Sequence, residues 1–128
     1  MTKFLLFISM TVLLAFCQAK SSKQEPKNAK QLYEEGMDIL YDRIDIQNTD
    51  SVFAKVLNKR AVKRFSAAYE ADTSFRDAAF YASECSMYAR DYQECIYWTT
   101  KLMRLDTSQQ NVAFCTDRIK NCEEQLSK

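Results

Sequence analysis

The stretch "DTSFRDAAF", Asp72 to Phe80, returns as "DTSQQNVAF", Asp106 to Phe114, and the offset is 34 residues. Asp72, Thr73, Ser74, Ala79 and Phe80 all recur. At the same offset Ala61 is followed by Cys95 and Val62 by Ile96, in each case a small residue and then a β-branched one. Self-similarity at a fixed period constrains a chain more than local propensity does, because each unit must be a supersecondary piece that buries its apolar face on its neighbour. Thr and Ser cap helices, so both Asp-Thr-Ser copies read as helix starts, and Asp77, three after Ser74, is placed to complete a capping box.

Composition agrees with a helical unit. One Gly and one Pro among 128 residues cannot supply the turn residues that an all-β chain needs about every ten positions. The class is therefore all-α, and 47% hydrophobic content suffices for one modest domain with a core. Eighteen basic residues balance 17 acidic ones, so no global field steers the chain to nucleic acid or an anionic membrane.

The N-terminus reads as a targeting segment. Lys3, an apolar run from Phe4 to Phe16 and small or polar residues after it make residues 1–19 a secretory signal peptide, too short to cross a bilayer, which takes about 20 apolar residues. Cleavage after Ala19 leaves an exported, periplasmic, envelope-associated or secreted chain. The rival reading takes Leu14 to Cys17 as a bacterial lipobox with Cys17 lipidated, and only then does a membrane enter; Phe16 stands where Gly, Ala or Ser is usual. Residues 20–26 form a polar, flexible leader, and Pro26 suits the first turn of a helix.

Periodicity and caps divide residues 27–128 into five helices, 27–43, 51–72, 75–89, 92–105 and 109–126. The first carries Leu32, Tyr33, Gly36, Met37, Ile39 and Leu40. "IDIQNTDS" breaks the pattern as a solvated loop and offers Thr49, Asp50 or Ser51 as the next cap. The second helix carries Val52, Phe53, Val56, Leu57, Ala61, Val62, Phe65, Ala68 and Tyr69, and Asp91 opens the fourth with Glu94 in the box position.

Asp91 to Ser108, with Asp91, Tyr92, Ile96, Leu105 and Asp106 in register, resembles the second half of a tetratricopeptide repeat. Ala61 to Ser74 resembles it again through Ala61, Val62, Phe65, Ala68 and Asp72. Thirty-four is that family's repeat length. Ala79, Ala82 and Ser83 stand where the family often has an aromatic, a leucine and a glycine, and Thr73 and Thr107 replace the usual proline. "LYEEG", Leu32 to Gly36, joins the pattern if about 13 extra residues are admitted before the second helix. The resemblance implies a short α-solenoid of antiparallel helix pairs with small residues where helices approach closely.

Several chemistries lack their residues. With no histidine there is no Ser-His-Asp or Cys-His constellation and no ordinary histidine metal site, and Gly36 alone makes no phosphate-cradling loop. Neither an enzyme nor a cofactor is expected, nor a small-molecule substrate. Asp42, Asp45 and Asp50 miss the calcium-loop spacing. Lys55, Lys59 and Lys63, one turn apart, read as a solvated face rather than a headgroup or nucleic-acid contact.

Cys85, Cys95, Cys115 and Cys122 are disulfide candidates in an exported chain, or else buried thiols acting as small hydrophobes. Cys115 and Cys122 lie on one helix about 10 Å apart along its axis, beyond the roughly 7 Å that a bridge spans. Stacking at the 34-residue repeat favours Cys85–Cys115 with Cys95–Cys122.

The resemblance implies a protein or peptide partner, held on a concave face that carries Tyr33, Met37, Phe80, Glu84, Met87, Phe114 and Arg118. That set offers rings and little positive charge, which suits an apolar or aromatic segment better than a charged tail. The expected function is a non-enzymatic interaction module of the cell envelope or secretory compartment. The alternative is a structural accessory subunit, possibly a lipoprotein, of a larger envelope assembly.

Overall fold

The computed structural model describes residues 27–128. The signal peptide, its cleavage site, the lipid anchor at Cys17 and the leader with Pro26 lie outside the described residues. Five helices follow in order: α1 (Ala29–Ile46), α2 (Ser51–Ala71), α3 (Arg76–Tyr88), α4 (Tyr92–Leu105) and α5 (Gln109–Leu126). Connections of three or four residues fold each helix back on the one before it, and each packs against its chain neighbours. The result is the expected all-α, short solenoid-like arrangement.

Ring contacts sort the helices into two layers. Tyr33 of α1 meets Tyr81 of α3, and Phe80 of α3 meets Phe114 of α5; on the other side Tyr69 of α2 meets Trp98 of α4. Between the layers lie Ala61, Phe65, Ala79, Ala82, Cys85, Leu102 and Cys115, all fully buried. Alanines and cysteines dominate this set because small side chains let helix backbones approach closely. Phe65 is the largest fully buried side chain.

Of the caps expected at α2, α3, α4 and α5, three form, and α1 has a cap that the sequence reading does not name. Asn28 and Gln31 close a reciprocal capping box at α1, Asp50 accepts from Phe53 N at α2, Asp91 from Glu94 N at α4 and Ser108 from Asn111 N at α5. The first helix thus begins at Ala29 rather than residue 27. Glu94 does not complete its box, because its carboxylate accepts from Trp98 Nε1 at 2.8 Å. At α3 the expected cap by Thr73 or Ser74, boxed by Asp77, does not form: Phe75 holds the cap position without a side-chain bond. The Ser74 hydroxyl is already committed, donating to Asp72 Oδ1 at 2.6 Å.

What does repeat is the turn itself. Asp72 Oδ1 accepts from Ser74 N at 3.0 Å and Asp106 Oδ1 from Ser108 N at 3.1 Å, and both aspartates adopt the same extended backbone, φ −147° and −134°. The serine hydroxyl above all, then this backbone bond, holds each carboxyl below the usual aspartate range; for Asp106 the Arg76 guanidinium, 2.9 Å away, adds to the effect.

The expected loop at "IDIQNTDS" is shorter, residues 47–50, because helix claims both of its ends. The helix α1 continues through Ile46, Asp42 and Asp45 lie exposed along it, and Asp50 is the α2 cap. The first hairpin spans residues 29–71 and the second 76–105, a difference of 13 residues that is absorbed almost wholly as helix. Of these, α1 is 18 residues against 13 in α3, and α2 is 21 against 14 in α4. At 1.5 Å per residue the first hairpin overhangs the second by about 8–10 Å. Tyr41, Ile44, Val52, Phe53 and Val56 are exposed on this overhang, since no neighbouring hairpin reaches far enough to cover them.

Candidate functional site

The α1–α3–α5 layer brings some of the expected groove residues together. The Phe80 and Phe114 rings stack at 6.0 Å between centroids with planes 29° apart, as period mates on parallel neighbouring helices should. The Arg118 guanidinium lies 4.4 Å from the Phe114 centroid and 6.0 Å from that of Phe80, near enough for attraction to the ring faces. Arg118 also forms an ion pair with Glu84 and donates from Nη1 to Ser83 Oγ at 2.6 Å. Its side chain is only 9% exposed, whereas Phe114 is 38% exposed.

This arginine is held by a polar relay. Thr99 donates to the Cys95 carbonyl at 2.7 Å. Its single hydroxyl proton is thereby used, so Ser83 must donate across the 3.0 Å contact to Thr99 Oγ1. The chain of donors runs Arg118, Ser83, Thr99, Cys95 carbonyl, across α5, α3 and α4. Both hydroxyls are fully buried, and each is satisfied, which fixes the guanidinium over the rings.

The remaining expected groove residues are placed differently. Tyr33 packs on Phe75 at 4.9 Å, Phe65 at 5.6 Å and Tyr81 at 6.0 Å. Burial above all, then Tyr81, Asp77 and Tyr41, pushes its hydroxyl up to about 12. Met37 is half-buried and packs on the main core. Met87 lies apart, lining a 490 Å³ cleft with Tyr92 and Asn121.

Tyr33 and Phe80 do not touch as successive rungs. Tyr81, which the sequence reading did not single out, joins them, at 6.0 Å from Tyr33 and edge-on to Phe80 at 5.1 Å. The aromatic run is therefore Tyr33, Tyr81, Phe80, Phe114. Ser83, the partner of Arg118, and Thr99, the partner of Ser83, also lie outside the expected set. Their signal was Ser83 standing where the repeat pattern has glycine.

All four thiols are free and fully buried, so neither expected disulfide is formed here. The structure brings Cys122 near Cys95: burial, the larger cause, and the neighbouring Cys95 thiol push Cys122 up to about 12. Cys85 and Cys115 look to different surroundings. Burial pushes Cys85 up to about 12, opposed by the charge of Arg43 on α1, while Cys115 lies among Asn111, Arg118 and Arg76 and is likewise raised by burial. A thiol in this state is no nucleophile near neutral pH.

Lys55, Lys59 and Lys63 are exposed on α2. Among the described residues no helix is long and apolar enough to cross a membrane. The arrangement at α3 and α5 offers a partly exposed ring beside a fixed, internally paired cation. No protein-family model, curated protein or solved structure matches this chain.

Proposed function

We propose that the chain is a non-enzymatic, tetratricopeptide-like interaction module whose α1–α3–α5 layer receives an apolar or aromatic segment of a partner protein in the secretory or envelope compartment. The observation that carries this reading is the Phe80–Phe114 stack under Arg118, with Phe114 38% exposed at its outer end. Arg118 is matched by Glu84, which leaves ring faces rather than free charge as the recognition element. Exposed aromatic anchors beside a satisfied polar rim are what contact energetics favour.

The test is capture of partners from envelope extract by the full chain, compared with Phe114→Ala and Phe80→Ala. Phe114→Ala is expected to lose the captured partner with little change in melting temperature. Phe80→Ala, half-buried, is expected to lose both. Capture that survives Phe114→Ala overturns the assignment of the face.

One observation favours the accessory-subunit reading instead: the exposed apolar residues Tyr41, Ile44, Val52, Phe53 and Val56 gather on the overhang, away from the Phe114 face. A partner seated there would be released by Val52→Glu and unaffected by Phe114→Ala.

A further inference from the structure

The overhang of the first hairpin does more than expose apolar residues. Beneath it, against the corner between α3 and α4, lies a cleft of about 520 Å³ whose lining includes Arg43, Val52, Lys55, Asn58, Tyr88 and Arg90, within the size range of small-molecule sites. Three of these are cations, and none of the residues lining the cleft is acidic. Without the 13 residues by which the first hairpin exceeds the second, α2 would not reach past the α3–α4 corner.

Arg43 is the residue that most needs explaining. It is 9% exposed and cannot shed its proton. Its partners within the protein are neutral: Nη1 donates to Gln47 Oε1 at 2.9 Å, and the guanidinium lies 4.9 Å from the Tyr88 centroid. Its Nε has no hydrogen-bond partner, and neither has Asn58 Oδ1, although Asn58 is only 3% exposed. Two side chains that line one cleft, each more than nine-tenths buried, thus carry unsatisfied polar atoms just beneath its surface. A buried cation without a counter-charge is strongly unfavourable.

Arg90 adds a second kind of strain. It is the only non-glycine residue with positive φ among the described residues, at 58°. Glycine adopts that conformation at no steric cost and arginine does not. The left-handed residue closes α3, with Arg90 N donating to the Met87 carbonyl at 3.0 Å and Asp91 N to that of Ser86 at 2.9 Å, and an arginine at this point of the turn also lines the cleft.

We infer that this cleft is a binding site for a small organic oxyanion, a carboxylate or phosphate group on an apolar body. Arg43 receives the oxyanion in its guanidinium fork. The Asn58 amide, turned by half a rotation about its last bond, presents its NH₂ as a further donor. Lys55 and Arg90 supply the remaining charge, and Val52 with the exposed Tyr88 ring contacts the apolar body. The site is independent of the Phe114 face and stands or falls without it.

Calorimetric titration of the full chain with benzoate and with phenyl phosphate, using benzamide as the neutral control, tests this directly. At least one anion is expected to bind saturably, with benzamide about tenfold weaker or worse, as the loss of a charge-assisted hydrogen bond implies. The two anions distinguish carboxylate from phosphate as the preferred group. Lys55→Gln and Arg90→Gly are each expected to weaken binding about tenfold, and Arg90→Gly to melt no lower than the parent, since glycine suits its backbone. Loss of binding in a variant at least as stable as the parent excludes an unfolding artefact. The inference is overturned if neither anion binds, if benzamide binds as tightly, or if both variants bind unchanged. A dimer that Lys55→Gln dissolves, with no anion bound, overturns it in favour of a second copy of the chain over the cleft.

Discussion

Gly36 of α1 gives its missing side chain to Phe65 of α2: a Cβ built at position 36 would lie 2.6 Å from Phe65 Cε1 and 2.9 Å from two further ring atoms. The ring cannot withdraw, because it is fully buried and stacks on Tyr81 at 5.5 Å. Thr99 stands 34 residues beyond Phe65 and faces Ser83, so the same crossing is filled by a glycine with a phenylalanine in one hairpin and by two hydroxyl residues in the other. Gly36→Ala is expected to destabilise by about 1–3 kcal/mol through overpacking, read as a lowered denaturation midpoint. Phe65→Leu made in the same chain should recover part of that loss. Simple additivity of the two would show that the contact is not the cause.

The second crossing depends on hydrogen bonds instead of volume. Ser83→Ala removes the acceptor for Arg118 Nη1 and a donor to Thr99, leaving a mostly buried guanidinium short of a partner. The expected cost is about 1–3 kcal/mol, against a smaller loss for Thr116→Ala, whose hydroxyl is exposed. Chemical denaturation of both variants decides it. Equal losses would mean that the relay is no more than three independent contacts.

The turns were legible in the sequence because they are local. Asp72 and Asp106 each bond to the serine two residues on, so the same three letters produce the same backbone wherever they stand. The length of the first hairpin was not, since the 34-residue period does not run back through residues 29–60 and "IDIQ" places isoleucines where no core awaits them; Ile44 is 44% exposed within a helix. Tyr81 was hidden for another reason. Neighbouring residues on a helix point about 100° apart, and a tyrosine beside Phe80 reads as facing elsewhere, yet it is the ring that joins Tyr33 to Phe80. Arg43 gave no signal at all, because arginine in a polar stretch reads as solvated and only the overhang buries it.

Contact between Cys95 and Cys122 gives the thiols unequal fates under oxidation. Cys95 is the thiol neighbour of Cys122, and a bridge between them would fasten α5 to α4. Exchange with oxidised glutathione at mildly alkaline pH, where transient opening of α5 frees the thiols, followed by non-reducing peptide mapping, is expected to yield Cys95–Cys122 as the first intramolecular disulfide, through a mixed disulfide and with release of two molecules of reduced glutathione. Cys85 and Cys115, as fully buried as the other two but with neither among the groups that shift the other, should stay as thiols and resist alkylation until the chain unfolds. Recovery of Cys85–Cys115 as the major species would refute this ordering.

Alkaline pH should unfold the protein through the same buried groups. Cys85 and Cys122 titrate near 12 in the folded chain against an ordinary 9.0, and Tyr33 near 12 against 10.0, with burial the largest cause in each case. Each is neutral when protonated, so the unfolded chain releases its protons first as pH rises. A folded pKa above the unfolded one means that stability is fully present below the unfolded value and is lost as pH climbs toward the folded value. Melting temperature is therefore expected to hold up to about pH 9 and to fall steadily between about pH 9 and 12. Cys85→Ala removes one of these groups at the cost of a small void and should flatten the decline while lowering the plateau. A melting temperature that stays level from pH 8 to 11 in the parent would contradict the burial of these side chains, and an unchanged slope in the variant would remove Cys85 from among the causes.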